Sequence, residues 1–213
     1  MIRSVIRSRL RNTLRKQKKL HTDPEHRSSF SDLLRQSVVA INTHDANDQH
    51  YEVPAGFFSL VLGPWLKYSC GYWDANTASL RESEEKMLEI TIERADIASA
   101  KQILDLGCGW GSFSLFAAKK FPDKQFTAVS NSHSQRRFIE KRAGESGIQN
   151  LKVITSDVNN FKPSVTFDRV VSVEMFEHVR NYEELFKRIR KWINPGGKLF
   201  IHIFNHHTWA YPF

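Results

Sequence analysis

The sequence predicts an open α/β fold, a parallel sheet with helices on both faces and a helical region in front of it. Three observations carry this reading. From residue 101 onward, short apolar runs alternate with amphipathic helical stretches. The first apolar run leads into a glycine-rich turn, "DLGCGWGS". The fourth ends in "SVEMFEHVRN" (172–181), where two glutamates and a histidine crowd the end of a strand that should be buried. Such sheets bind ligands outside the carboxyl ends of their strands, where these two stretches fall.

Taken in order, residues 1–22 form a basic arm with Ile2, Ile6, Leu10 and Leu14 spaced by four, one apolar stripe on a helix. Residues 29–41 read as a helix, with Ser29 and Asp32 as a capping box and Leu33, Leu34, Val38 and Ile41 as its apolar face. Residues 42–50 are a polar connector. "YEVPAGFFSLVLGPWLKYSCGYW" (51–73) reads as a short helix and a loop forming a lid, with Phe57, Phe58, Trp65, Tyr72 and Trp73 mostly packed in a core. A helix over 79–95 turns Leu80, Met87, Leu88 and Ile92 inward. Strands are predicted at 101–106, 125–130, 151–156, 167–173 and 198–204, and helices at 111–121, 133–146 and 181–193. Asn181 is the N-cap of the last helix, and Pro195-Gly196-Gly197 is its stop. The chain thus divides into the arm (1–22), a helical lid region (23–100) and the sheet domain (101–213).

Composition narrows the function. Of 31 Lys and Arg, eight lie in residues 1–22, which hold no acid; the other 23 balance 23 Asp and Glu. The net charge of +8 therefore belongs to the arm, which argues against nucleic acid as the partner. The arm allows three readings: a helix docked on its own domain, a helix lying on an anionic membrane, or a mitochondrial presequence. No run approaches 18 apolar residues. Two cysteines without zinc spacing predict no structural metal and fit a reducing, cytoplasmic location, or a mitochondrial one if the arm is a presequence.

In the glycine turn, Gly107, Gly109 and Gly111 let the backbone approach a ligand at a helix N-terminus. A dinucleotide is the rival ligand, since G-x-G-x-x-[GA] nearly fits. Asp105, two residues earlier, would repel a pyrophosphate but suits an amino or sulfonium group. The second strand also ends in "VSNSHSQ", with no acid for ribose hydroxyls.

"ILDLGCGWG" resembles motif I of the class I S-adenosyl-L-methionine methyltransferases. With "QHYEVPAGFF", "LKYSCGYW", "SNSHSQ", "SVEMFEHVRNY" and "NPGGKLFIHIF", the chain from about residue 47 resembles the cyclopropane-fatty-acyl-phospholipid synthase family, especially its coclaurine N-methyltransferase-like branch. The resemblance implies a Rossmann-like class I methyltransferase sheet and S-adenosyl-L-methionine as cofactor. It implies that Ser130 and Gln135 serve the ribose, Asp157 the adenine, and Tyr68 and Ser69 the methionine carboxylate. Tyr51 and Cys70 would lie near the reaction centre.

The fourth strand ends beside the first, so Glu174, Glu177 and His178 would face the transferred group. The resemblance implies that Glu177 and His178 position or deprotonate an amine, or hold a bicarbonate base in the cyclopropane synthases. Glu174 leans the reading toward a nitrogen acceptor. Asp157 as a turn residue, Gln135 as an ordinary helix residue and the glutamates as helix caps or partners of Arg180 are the plain alternatives. The expected activity is methyl transfer to a small-molecule amine or a lipid. The alternatives are cyclopropane formation on phospholipid acyl chains and a non-catalytic cofactor-binding remnant. Five strands are predicted where the class has seven, so the last strands are expected to be missing from this chain.

Overall fold

The structure is a computed structural model and describes residues 2–41, 55–205 and 207–208. Its centre is a five-stranded, wholly parallel sheet of β1 (Gln102–Leu106), β2 (Gln125–Ser130), β3 (Leu151–Thr155), β4 (Phe167–Val173) and β5 (Ile193–His202), in the order β3-β2-β1-β4-β5. The helices are α1 (Ile2–His21), α2 (Pro24–Gln36), α3 (Ala55–Val61), α4 (Leu80–Arg94), α5 (Ser112–Lys120), α6 (His133–Glu145) and α7 (Tyr182–Trp192). The strand order reverses between β1 and β4, which opens a crevice at their carboxyl ends.

Alternation along β1 sets up the two layers. Leu104 and Leu106 pack with Val170 against Leu185, Ile189 and Trp192 of α7. Ile103 packs on the opposite face, with Leu88 and Ile92 of α4 and Phe113 and Ala117 of α5. Asp105 follows Ile103 by two positions and so shares that second face, where it accepts a hydrogen bond from Ser114 of α5. A carboxylate therefore occupies a position where the period of the strand calls for an apolar side chain.

Several expectations need correction. The second helix begins at Pro24 on an Asp23 cap and stops at Gln36, instead of spanning 29–41. Val39 and Ala40 are buried beyond its end, where Arg180 and Asn181 donate backbone N–H groups to Val39 and Ala40 bridges Val179. Leu33, Val38 and Ile41, predicted as a buried face, are exposed. α7 does cap on Asn181 but ends at Trp192. Pro195-Gly196-Gly197 lies inside the span of β5, where the pairing with β4 is irregular and Gly196 has φ +78°. Of the five lid aromatics, Phe58 is buried, while Phe57, Tyr72 and Trp73 are largely exposed; Leu80 is exposed as well. In α4 the polar Ser83 and Glu84 are buried beside Leu88 and Ile92. The apolar stripe of α1 is exposed, from Ile2 at 77% to Leu14 at 48%, and α2 is its main neighbour. Docking of that stripe on the chain's own domain is not what the described residues show.

Candidate active site

The glycine turn is built for close approach. Gly107, Gly109 and Gly111 all have positive φ, at +86°, +52° and +78°. The N–H groups of Gly107 and Cys108 both donate to the carbonyl of Val129, and that of Gly111 donates to Cys108, which closes the turn. The three glycines differ in surroundings. A Cβ at Gly107 would collide with Met175, and one at Gly111 with Ile139, while one at Gly109 would meet open space. Gly107 and Gly109 line a cavity of about 250 Å³ with Asp105, Trp110, Lys67, Tyr68, Ser69, Glu174 and His178. Gly111 is outside the lining and serves as the N-cap of α5.

Asp105 is fully buried. Burial raises its pKa to about 7, opposed by the hydrogen bonding of Ser114. No described cation pairs with it, so its negative charge is complete only when a positive group is brought into the cavity.

The turn after β4 carries the ionisable cluster. Glu174 has φ +49°, unusual for a side chain with a Cβ, and its N–H donates to His202 of β5. A backbone held in this region costs about 1–3 kcal/mol and is typical of sites whose surroundings over-determine them. One 3₁₀ turn follows, Phe176–His178. The Met175 side chain seats on Gly107, so the turn is pressed against the glycine loop. Glu177 is buried, and no side chain among the described residues hydrogen-bonds its carboxylate oxygens. Burial raises its pKa, the amides of Glu177 and Phe204 oppose this in part, and Glu174 adds to it. A carboxylate stripped of water in this way is a stronger base than one in solution. His178 lines the cavity next to it.

The lid closes over both turns. Glu84 of α4 accepts hydrogen bonds from the N–H groups of Gly63, Trp65 and Lys67 and so holds the segment in front of the cavity. Phe58 and Leu66 pack on Trp110 of the glycine turn, with ring centroids of Phe58 and Trp110 5.2 Å apart. Cys70 N–H donates to Glu174 at 3.1 Å, and its Sγ lies 3.7 Å from Nε2 of His202. Burial and the neighbouring Glu174 raise the pKa of the Cys70 thiol, while burial lowers that of His202. The thiol therefore keeps its proton and the imidazole is neutral at pH 7. Atoms of Cys70, Glu174 and His202 lie within 4.8 Å of one another, a spacing that a metal ion could bridge. The Lys67 ammonium beside them opposes a cation there.

Glu177, Cys70, Ser130, Gln135 and Asp157 are outside the cavity lining, although Glu177 directly precedes His178 and Cys70 directly follows Ser69, which are in it. Ser130 and Gln135 bond to each other at 2.5 Å, both buried, and the Gln135 amide nitrogen has no described partner. Asp157 closes a turn by accepting from Asn159 N–H at 2.7 Å. Tyr51 lies outside the described residues. Sequence reasoning missed Lys67, Glu84, Trp110 and His202. Lys67 and Trp110 stand next to residues it did single out, Glu84 lies between Leu80 and Leu88 of a helix read only for its apolar face, and His202 is hidden in an apolar strand and comes into reach only through pairing of β5 with β4.

The model of the family described as mycolic acid cyclopropane synthetase matches residues 40–210. The chain belongs to this family. Among curated members of the wider group, it is 40% identical over 180 residues to (S)-coclaurine N-methyltransferase of Thalictrum flavum subsp. glaucum, covering 84% of this chain and 50% of that protein. It is 31% identical to cyclopropane-fatty-acyl-phospholipid synthase of Escherichia coli (strain K12), covering 72% of this chain and 39% of that one. The solved structure of coclaurine N-methyltransferase bound to N-methylheliamine and SAH superimposes with a TM-score of 0.89 at 33% identity, over 99% of this chain and 61% of that one. The mycolic acid cyclopropane synthetase family thus accounts for the parallel sheet and its lid. The chain spans half to three fifths of the length of the coclaurine N-methyltransferases it matches.

Proposed function

We propose that this chain forms the cofactor site and proton-accepting site of an S-adenosyl-L-methionine-dependent methyltransferase acting on a small-molecule amine. The observation that carries the reading is the turn at Glu174–His178. It holds a buried carboxylate with no side-chain partner among the described residues beside an imidazole that lines the cavity, and Met175 clamps it to the glycine turn.

The residues present suit this cofactor. Gly109 leaves open space for a ligand, and the Asp105 carboxyl lacks a cation. When bound, S-adenosyl-L-methionine supplies a methyl group on a positively charged sulfur. Asp105 provides the matching negative charge, and the lid anchored by Glu84 excludes water. Glu177 accepts the proton of an incoming amine or stabilises its developing charge, with His178 beside it to orient the nitrogen. The named activity of the coclaurine N-methyltransferase relatives supports an amine as acceptor. The cyclopropane synthases in the same family keep an unsaturated phospholipid chain as the second reading.

The test is transfer of labelled methyl from S-adenosyl-L-methionine to a panel of benzylisoquinoline-type amines and, separately, to unsaturated phospholipid vesicles. Label in the amines supports the first reading and label in the lipid the second. Cofactor binding with no transfer assigns this chain a binding role alone. Glu177→Gln should lower turnover by about 10²–10⁴-fold while cofactor affinity stays within about twofold. An unchanged rate removes Glu177 from the chemistry.

The arm supports a further part of the reading, peripheral contact with anionic lipid. α1 exposes Ile2, Ile6, Leu10 and Leu14 among eight basic residues and no acid. Co-sedimentation with phosphatidylglycerol vesicles, lost in high salt and absent with phosphatidylcholine alone, is the expected result. Equal partitioning to both would refute it.

A further inference from the structure

The four-residue spacing of α1 extends beyond its apolar stripe. Arg3, Arg7, Arg11 and Arg15 form a second ladder, and Ser4, Ser8 and Asn12 a third. Each residue turns a helix by about 100°, so the serine ladder lies about 200° from the apolar stripe, with the arginines between the two. Ser4, Arg7, Ser8, Arg11, Asn12 and Arg15 share one surface groove, and all six are exposed. Residues 1–22 hold no acid, and no described carboxylate pairs with these arginines. The groove thus sets two hydroxyls in a field of guanidinium groups whose charge is uncompensated. Each serine follows an arginine directly and has another three residues on, Arg7 for Ser4 and Arg11 for Ser8, within reach on a helix surface. The planar guanidinium fork matches phosphate oxygens in shape as well as in charge.

We infer that Ser4 and Ser8 are phosphorylation sites whose modification releases the arm from anionic lipid. This rests on the lipid contact proposed above and names its regulation. The modifying reaction is transfer of the terminal phosphoryl group of a nucleoside triphosphate by a protein kinase. A bond forms between the serine Oγ and phosphorus, the phosphoanhydride bond breaks and the nucleoside diphosphate leaves. The hydroxyl proton passes to the base of the kinase. A phosphoserine carries a charge of about −1.5 to −2 at pH 7, so two of them cancel up to about half of the eight positive charges of the arm. The phosphates also draw Arg7 and Arg11 toward the serine ladder and away from the lipid. Because the serines lie on the side opposite the apolar stripe, they face water while the arm rests on a bilayer. A kinase therefore reaches them without first detaching the arm.

The experiment has two arms. In the first, the full chain is incubated with an arginine-directed serine kinase and labelled ATP. Label is expected in the wild type and absent from the Ser4→Ala/Ser8→Ala protein; an unlabelled wild type, or equal label in the variant, overturns the assignment. The second arm compares co-sedimentation with phosphatidylglycerol vesicles for the unmodified chain and for chains made with phosphoserine at position 4, at position 8 or at both. Each unit of charge near such a surface is worth about fivefold in affinity, so each phosphate should weaken binding by at least about tenfold. The Ser4→Ala/Ser8→Ala protein should bind as the wild type does, which separates the effect of the phosphate from loss of the hydroxyls. Undiminished binding of the doubly phosphorylated chain overturns the release and leaves the lipid contact standing. Failure of the unmodified chain to bind refutes the lipid contact itself, and the release with it.

Discussion

At the scale of single residues, Asp105 holds its proton up to about pH 7 because its face of β1 is apolar. The unfolded chain would release that proton near pH 4. Between the two values the native state binds the extra proton, so the Asp105 contribution to stability is present below pH 4 and is lost as pH rises through 7. A cationic ligand reverses the trend, because it favours the ionised carboxyl. Affinity for S-adenosyl-L-methionine should therefore rise about tenfold from pH 6 to pH 8, with a proton released on binding at the lower pH. Titrations in buffers of different ionisation enthalpy would measure both, and Asp105→Asn should flatten the profile. A flat wild-type profile would show that Asp105 does not meet the cation. The residue types were legible from the sequence: Asp105 and the glycines from their place before a helix, Glu177 and His178 from their place after a strand. Which glycine faces the ligand was not. Gly107 and Gly109 line the cavity, with Met175 filling the space a Cβ at Gly107 would take, whereas Gly111 is backed by Ile139 outside the lining.

At the scale of elements, the lid is held by one carboxylate. Glu84 joins α4 to the segment 63–67 through three backbone N–H groups, and Leu66 there takes a positive φ of +51°. Removing the carboxylate leaves those donors unpaired in a buried site. Glu84→Ala should lower stability by about 3 kcal/mol in urea unfolding and open residues 63–67 to limited proteolysis. Glu84→Gln, which keeps an acceptor oxygen, should lose less. Equal stability of all three proteins would show that the lid is held by its aromatic contacts instead. Helix periodicity puts Glu84 on the same face as Leu88, but a buried glutamate cannot be read from spacing when its partners are backbone groups about twenty residues upstream. The first four strands were legible almost to the residue, because runs such as "QFTAVS" and "FDRVVSV" are apolar, short and bounded by turn residues, whereas the fifth, predicted at 198–204, spans Ile193–His202 because Pro195-Gly196-Gly197 falls inside it instead of before it. The second helix was misplaced because the apolar residues after Gln36 pair with the segment at Val179 instead of continuing the helix.

At the scale of the whole molecule, Asn181 ties the front of the chain to the chemistry. It caps α7 by accepting from Glu184 N–H at 2.9 Å and donates to the carbonyls of Arg35 and Ser37. Asn159 bonds in both directions to the backbone of Ala40, which adds the turn after β3 to the same junction. Asn181→Ala should destabilise the chain by about 2 kcal/mol, since it removes a cap and two hydrogen bonds at once. The loss should appear as a lower midpoint of thermal unfolding. Asn181→Asp keeps the cap but not the donors, and should fall between. If Asn181→Asp matched the wild type, the contacts to Arg35 and Ser37 would be irrelevant to stability.

The sequence by itself determined the alternation of strands and helices, the place of the ligand turn and the place of the glutamate–histidine turn. Each is a local pattern in which a few adjacent residues decide backbone conformation and burial. Only the tertiary structure decided which side chains share the cavity. Lys67, Asp105 and Glu174 line it from segments far apart in the chain, His202 stands beside Glu174 outside the lining, and parallel pairing of β1, β4 and β5 with the lid folded over them brings them together. Their protonation follows from that meeting, because burial and the nearest charges set it, and neither is a property of the residue alone.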